Sequence, residues 1–293
     1  MKEKILYILN PISGSGVDRD AILSSLKKLA GDSAMEVFET KGKNDSERIK
    51  EKILADKPDQ IWIGGGDGTI RMVASALENL DIPMAVIPIG SANGLAKCLE
   101  INDTEDALKA IKSGKTQKLD VLKINNEICL HMSDFGFNAG LIKKFEEEES
   151  ERGMMAYFRS SLKQFQEMKP YSFQIKIGGN EIRTQAKMLI IANGDRYGTG
   201  AIINPAGKLD DGKMEIIALN PNGIDEMTEI SVAMFTGTLD ESENVKMWSG
   251  NKATIKNSDS ADFQIDGEVM PATEKIEVVC VASKYRVFSL RQD

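Results

Sequence analysis

Asp59-Gln60-Ile61-Trp62-Ile63-Gly64-Gly65-Gly66-Asp67-Gly68-Thr69, running on into Ile70-Arg71-Met72-Val73-Ala74-Ser75-Ala76-Leu77, decides the fold of this chain. Ile61, Trp62 and Ile63 predict a short buried strand, and Met72, Val73, Ala76, Leu77 and Leu80 recur at helical spacing behind it. Between strand and helix stand four glycines and one aspartate. Without a Cβ the backbone can turn sharply and present its N–H groups to a bulky anion, and the helix behind adds the positive end of its dipole. This is a phosphate cradle in outline. It lacks the Lys-Ser/Thr ending of a P-loop and the spacing of a dinucleotide fingerprint. Asp67 is the odd member, because a carboxylate repels phosphate unless a divalent cation or a proton-donating substrate lies between them. That points to metal-assisted phosphoryl chemistry. The rival reading, a plain strand-to-helix turn, needs fewer glycines than stand here.

Outward from that stretch, strands and helices alternate. Ile5 to Leu9 reads as a strand, Asp18 to Leu29 as an amphipathic helix and Met35 to Glu39 as a strand ending at Thr40. A polar helix runs from about Asn44 to Ala55, Met84 to Pro88 is a strand, and Leu95 to Leu99 opens another helix. Such alternation implies a parallel sheet covered on both faces, with ligands beyond the carboxyl ends of the strands. The loops Asn10–Gly16, Thr40–Lys43, Gly64–Thr69 and Gly90–Gly94 all fall on that edge.

After about Lys115 the texture changes. Short strand candidates at Leu119–Ile124, Glu127–Met132, Tyr171–Ile177, Glu181–Gln185, Met188–Asn193, Met214–Leu219 and Phe263–Ile265 are separated by turns such as Gly178-Gly179-Asn180. They predict a mostly antiparallel second domain. Met154, Phe158, Leu162, Phe165 and Met168 form a helical stripe, read as core or as an adaptable apolar site, after the solvated run Glu146–Glu149.

The chain has 293 residues, 41% apolar and 28% charged, which suits a soluble protein of two domains. A net charge of −8 argues against a nucleic-acid partner and against strong adsorption to anionic membrane. Cys98, Cys129 and Cys280 lack metal-type spacing and read as buried thiols in a reducing cytosol. Met1-Lys2-Glu3-Lys4-Ile5 runs directly into a strand, so no signal peptide is expected, and no apolar run reaches membrane-span length.

Asn10-Pro11-Ile12-Ser13-Gly14, Gly65-Gly66-Asp67-Gly68-Thr69, Pro88-Ile89-Gly90-Ser91-Ala92-Asn93 and Ile265-Asp266-Gly267-Glu268 together resemble the diacylglycerol kinase catalytic-domain family, which includes bacterial soluble lipid kinases and sphingosine kinases. Asn193-Gly194, Pro205-Ala206 and Leu209-Asp210-Asp211-Gly212 resemble that family's second-domain signature. The resemblance implies an α/β domain with a parallel sheet of the NAD-kinase and phosphofructokinase type over residues 1–118, with a C-terminal tail of about 284–293 packing back on it. A β-sandwich that takes the lipid is implied over 119–283, with ATP in the cleft. Carried over by position, Asn10, Ser13, Thr40, Gly65, Gly66, Asp67, Gly68, Thr69 and Ser91 contact the nucleotide. Asp266 is the implied general base, with Asp67 second, and Glu268 helps hold the catalytic Mg²⁺. A structural Mg²⁺ maps to the Asp211 carboxylate and the backbone carbonyls of Lys208 and Lys213. Two carboxylates two residues apart can divide metal binding from proton transfer. The third motif departs from the Gly-Thr-x-Asn-Asp of many diacylglycerol kinases. Its Gly90-Ser91-Ala92-Asn93-Gly94-Leu95-Ala96 is closer to sphingosine kinases.

The expected activity is ATP-dependent phosphorylation of a hydroxyl on a diacylglycerol-like or sphingoid lipid presented at a membrane. The enzyme is then expected in the cytoplasm, peripheral to the inner face of the membrane with transient contact, and a homodimer is left open. Two alternatives stand beside it. An NAD kinase would share the glycine-aspartate loop, but the Asn-Glu pair for dinucleotide recognition is missing. A non-catalytic nucleotide or lipid sensor would keep the loop and lose the carboxylates, yet Asp67 and Asp266 are both present. His131, the single histidine, reads as a structural residue; Asp211 and Asp266, taken alone, read as turn residues.

Overall fold

The computed structural model describes residues 2–14, 16–136, 168–197 and 200–291. The chain divides into two compact units, Met1–Asp120 with Ser283–Asp293, and Val121–Ala282.

In chain order the first unit holds β1 (Lys4–Leu9), α1 (Arg19–Ala30), β2 (Ala34–Glu39), α2 (Asp45–Asp56), β3 (Gln60–Gly65), α3 (Asp67–Leu77), β4 (Met84–Pro88), α4 (Gly94–Cys98) and α5 (Thr104–Ser113). The strands pair in parallel in the order β2-β1-β3-β4, and beyond β4 Val287 of the C-terminal strand aligns with Met84. The connection from β1 to β2 runs one way across the sheet and those from β2 to β3 and β3 to β4 run the other, so right-handed connections send α1 to one face and α2 and α3 to the other. Contacts agree: α2 packs on α3, and α1 on α5. Ile5, Leu6, Tyr7, Ile8 and Leu9 are therefore all buried, as are Ile61, Trp62 and Ile63. Each fully buried aliphatic side chain contributes about 1.5–3 kcal/mol of transfer free energy. The order reverses between β1 and β3, which makes the ends of these two strands the switch point where ligands of such sheets bind. Two expectations are adjusted here. Helix α3 ends at Leu77, leaving Leu80 exposed, and the stretch after β4 is two helices instead of one.

Strand β5 (Thr116–Ile124) leads into the second unit, which continues with β6 (Glu127–Cys129), β7 (Met132–Gly136), β8 (Tyr171–Ile177), β9 (Asn180–Ala186), β10 (Met188–Ala192), β11 (Met214–Leu219), α6 (Ile224–Thr236), β12 (Val245–Gly250), β13 (Lys252–Asn257), β14 (Phe263–Ile265), β15 (Glu268–Met270) and β16 (Lys275–Phe288). One antiparallel sheet runs β12-β11-β10-β7-β14-β15. A second antiparallel set joins β9, β8, β13 and the first residues of β16. Between them lies a core that includes Phe135, Leu189, Ile191, Ile216, Ile255 and Phe263. The alternate residues Met132, Ile190, Ile217 and Leu219 face the other way and are covered by Met227, Ile230 and Ala233 of α6. Burial on both faces explains the unbroken apolar run Met188–Ala192. The fold class is the expected one, an α/β unit with a parallel sheet followed by antiparallel β-structure.

The single strand expected at Glu127–Met132 is two strands, split at Leu130 and His131, whose backbone amides turn to Asp266. Cys98 and Cys129 are buried thiols, whereas Cys280 is half-buried. Met154, Phe158, Leu162, Phe165 and the Glu146–Glu149 run lie outside the described residues. Met168 is described and packs beside the α6 core. Among the described residues no helix is long and apolar enough to cross a membrane.

Candidate active site

In the first unit the candidate residues sit on loops pressed close together at the ends of β1, β3 and β4. A Cβ placed on Gly90 would stand 2.4 Å from Gly66 Cα, and one on Gly65 2.5 Å from Thr69 Cβ. On Gly64 it would meet the Tyr7 hydroxyl at 2.4 Å. Burial pushes that hydroxyl's pKa up to about 12 against the opposing charge of Arg19, so Tyr7 is a neutral floor beneath the glycines. Asn10 ties the first loop to the helix: its Nδ2 donates to Thr69 Oγ1 at 3.1 Å, and its backbone N–H to Gly64 O at 2.9 Å.

Helix α3 starts without a side-chain cap. The N–H groups of Thr69 and Ile70 bond back to Gly66 O, and those of Asp67 and Gly68 have no intrahelical acceptor. These two amides and the helix dipole suit an anion. Asp67 points elsewhere. Its Oδ2 accepts the Gly94 N–H at 2.8 Å and its Oδ1 the Leu95 N–H at 3.0 Å, so the buried carboxylate caps α4 and holds the Gly90–Gly94 loop against the cradle. Asn93 completes that loop by exchanging two hydrogen bonds with the Gly90 backbone.

Thr40 is buried at the end of β2, with its N–H on Leu9 O. Ser13 is half-buried in the loop after β1, and Ser91 is exposed in the loop after β4. Asn10, Ser13, Thr40, Gly65, Gly66, Asp67, Gly68, Thr69 and Ser91 thus lie along one edge of the first unit's sheet.

The second unit carries its own candidate cluster, at the hairpin between β14 and β15. Asp266 and Gly267 both have positive φ, 47° and 87°, the signature of a two-residue type I′ turn. The Asp266 side chain folds back into the protein. Its Oδ2 accepts the Leu130 N–H at 2.7 Å, and its Oδ1 accepts those of His131 at 3.0 Å and Met132 at 3.2 Å. His131 Nδ1 lies 2.7 Å from the same Oδ1, with Cys129 Sγ at 3.5 Å. Burial pushes the Asp266 pKa up, but the His131 charge and hydrogen bond and the backbone amides outweigh it and hold the carboxyl below its ordinary value.

Next to it, Asp134 is buried and accepts from the Tyr197 hydroxyl at 2.6 Å and from Gln264 Nε2. Gln264 Oε1 in turn accepts the Gly267 N–H at 2.6 Å, so this cluster braces the Asp266 turn. Burial pushes Asp134 up to about 6, against hydrogen bonds from Tyr197 and Gln264 and the charge of His131.

Glu268 is exposed at the start of β15, and Asp211 is exposed with its Oδ1 on the Lys213 N–H at 3.0 Å. Lys208 and Lys213 are exposed on the same turn region. Among the described residues no three His, Cys, Asp or Glu side chains gather as a metal cage. A cation here would rely on one or two carboxylates with carbonyls, water and phosphate, the donor set that suits Mg²⁺. The roles of His131, Asp134, Tyr197 and Gln264 around Asp266 are not legible in the sequence. The one available signal was a lone histidine inside an otherwise apolar stretch.

An uncapped glycine-rich helix start at the switch point of a parallel sheet suits the binding of a phosphorylated ligand. Residues 4–124 match the diacylglycerol kinase catalytic domain, and residues 132–286 match the YegS C-terminal NAD kinase beta sandwich-like domain. A protein of Citrobacter koseri named lipid kinase YegS-like is 26% identical over 295 residues, covering 96% of this chain and 95% of its own. A diacylglycerol kinase of Staphylococcus aureus is 24% identical over 274 residues, covering 92% and 87%. The crystal structure of a diacylglycerol kinase from Bacillus anthracis shares the fold, with a TM-score of 0.77 at 21% identity over 98% of this chain and 97% of that one. The chain belongs to the diacylglycerol kinase catalytic-domain family of lipid kinases.

Proposed function

We propose that this kinase transfers the γ-phosphate of ATP to a hydroxyl of a diacylglycerol-like or sphingoid lipid. The observation that carries the reading is the uncapped start of α3, where the Asp67 and Gly68 amides face the switch-point edge while the Asp67 carboxylate is drawn away onto Gly94 and Leu95. A cradle that removes its own negative charge from the anion suits a polyphosphate. Asn10, Ser13, Thr40 and Ser91 line the same edge and supply hydroxyl and amide donors.

Asp266 is the proposed acceptor of the lipid hydroxyl proton, through Oδ2, to which Leu130 is the one donor among the described residues, at 2.7 Å. Being ionised, it is in the state a base requires, and the loose transition state of phosphoryl transfer asks more for orientation than for basicity. Asp67 has its oxygens committed to α4 and is the weaker candidate. Mg²⁺ fits as the divalent ion and would supply charge neutralisation of the phosphates. Glu268 would hold the catalytic ion, and Asp211 with the carbonyls of Lys208 and Lys213 a structural one. The lipid would be met at a membrane surface, from the cytoplasmic side.

Incubation with γ-labelled ATP, Mg²⁺ and, in separate reactions, micelles of diacylglycerol, of sphingosine, of a mixed lipid extract, or NAD tests the reading. Label in a lipid supports it. Label in NAD alone would make the chain an NAD kinase. Tight ATP binding by calorimetry with no transfer to any acceptor would make it a sensor.

A further inference from the structure

We infer that Arg19 is the positioning residue of the nucleotide site, turning the loop after β1 so that it accepts a polyphosphate chain; this rests on the ATP reading above. Its Nη2 donates to Ser13 O at 2.9 Å and reaches Gly14 O at 3.4 Å. Carbonyl oxygens facing an anion repel it. Arg19 gathers two of them onto one guanidinium and adds a charge that stays ionised at every working pH. The loop so held is the one that Asn10 ties to Thr69, at the start of α3. Its Gly14, at φ +72°, lies so close to the next loop that a Cβ would meet Ile89 O at 2.4 Å. Arg19 therefore acts on all three loops of the cradle through one segment.

Helix stability does not explain this arginine. It opens the 12-residue α1, where a cation opposes the macrodipole, while Asp18 as cap and Asp20 in the first turn suit that end. Its Nε is buried and has no acceptor among the described residues. A cation added to a helix start, with two loop carbonyls turned onto it and one buried donor left over, fits an anionic ligand. The ligand class is the polyphosphate of a nucleoside triphosphate, and the base and sugar lie outside what Arg19 reads.

The test is calorimetric titration of the full chain and of Arg19→Gln and Arg19→Lys with ATP, adenosine and inorganic tripolyphosphate. For Arg19→Gln the Kd for ATP and for tripolyphosphate should rise about tenfold or more, the size expected for a lost charge-assisted bond, while the Kd for adenosine stays unchanged. In turnover the KM for ATP should rise while kcat at saturating ATP holds. Lysine keeps the charge on a shorter stem without the planar guanidinium, so Arg19→Lys should fall between. ATP affinity within twofold of wild type in Arg19→Gln overturns the inference. So does an equal loss for adenosine. If Arg19→Gln fails to fold, Arg19→Lys decides, and wild-type affinity for tripolyphosphate in that variant overturns the positioning role. A wild-type chain that binds no ATP overturns the ATP reading instead, and the inference with it.

Discussion

Nδ1 of His131 stands 2.7 Å from Oδ1 of Asp266, and both side chains are buried. A carboxylate that also takes the amides of Leu130, His131 and Met132 is a structural anchor whatever else it does. Asp266→Asn offers one acceptor oxygen in place of two and turns an amide NH₂ toward a donor. It should lose about 1–3 kcal/mol of stability, read from the denaturant midpoint, as well as the hundred- to ten-thousand-fold in rate typical of a lost base. A rate loss with an unshifted midpoint would mean the anchor is dispensable. Near-native turnover would remove the base.

The same pair sets an acid limit. The folded pKa of Asp266 is lowered, so its stabilisation is fully present above the ordinary carboxylate value of about 4 and is lost as pH falls through the lower folded value. Unfolding midpoints from pH 6 down to pH 2 should fall more steeply in wild type than in Asp266→Asn. Parallel curves would contradict the sign.

Asp134 runs the other way. Burial raises its pKa to about 6, so the folded state is penalised as pH rises from about 4 through 6, by roughly 3 kcal/mol at most on 1.36 kcal/mol per pKa unit. Asp134→Asn can still accept from Tyr197 and carries no charge. It should melt higher than wild type at pH 8 and lose that advantage at pH 4. A variant less stable at both values would show that the ionised form is needed by its neighbours.

Asp67 caps α4 through two amides, so Asp67→Asn leaves the Gly94 or the Leu95 N–H opposite a donor. The expected cost is about 1–3 kcal/mol, with faster hydrogen exchange across Gly94–Cys98 and weaker ATP binding as the loop frays. Unchanged exchange there would separate Asp67 from the third loop.

Gly90 and Gly66 differ although their loops touch. A Cβ on Gly90 falls 2.4 Å from Gly66 Cα and 3.0 Å from its N, while one on Gly66 reaches Gly90 Cα at 3.3 Å. Gly90→Ala should therefore lower both melting temperature and ATP affinity well beyond Gly66→Ala, whose backbone at φ −94° accepts any residue. Equal effects would place the steric limit elsewhere.

The alternation of strand and helix, the Gly64–Thr69 cradle and the change to antiparallel texture after Lys115 were legible because each rests on local periodicity or on the shape of glycine. Local pattern also marks α6, with Met227, Ile230 and Ala233 between Gly223 and Gly237, and β16, where Ile276, Val278 and Cys280 alternate with outward residues. Roles were another matter. Asp67 reads as a group near phosphate, yet the fold brings it to Gly94 and Leu95, 27 and 28 residues on. Asp266 reads as a turn aspartate, yet it is anchored by amides 134 to 136 residues earlier. A short motif states which chemical group is present and what the backbone beside it can do. Which lone pairs that group has left depends on partners brought in from distant strands, and in this protein only the tertiary structure decided that.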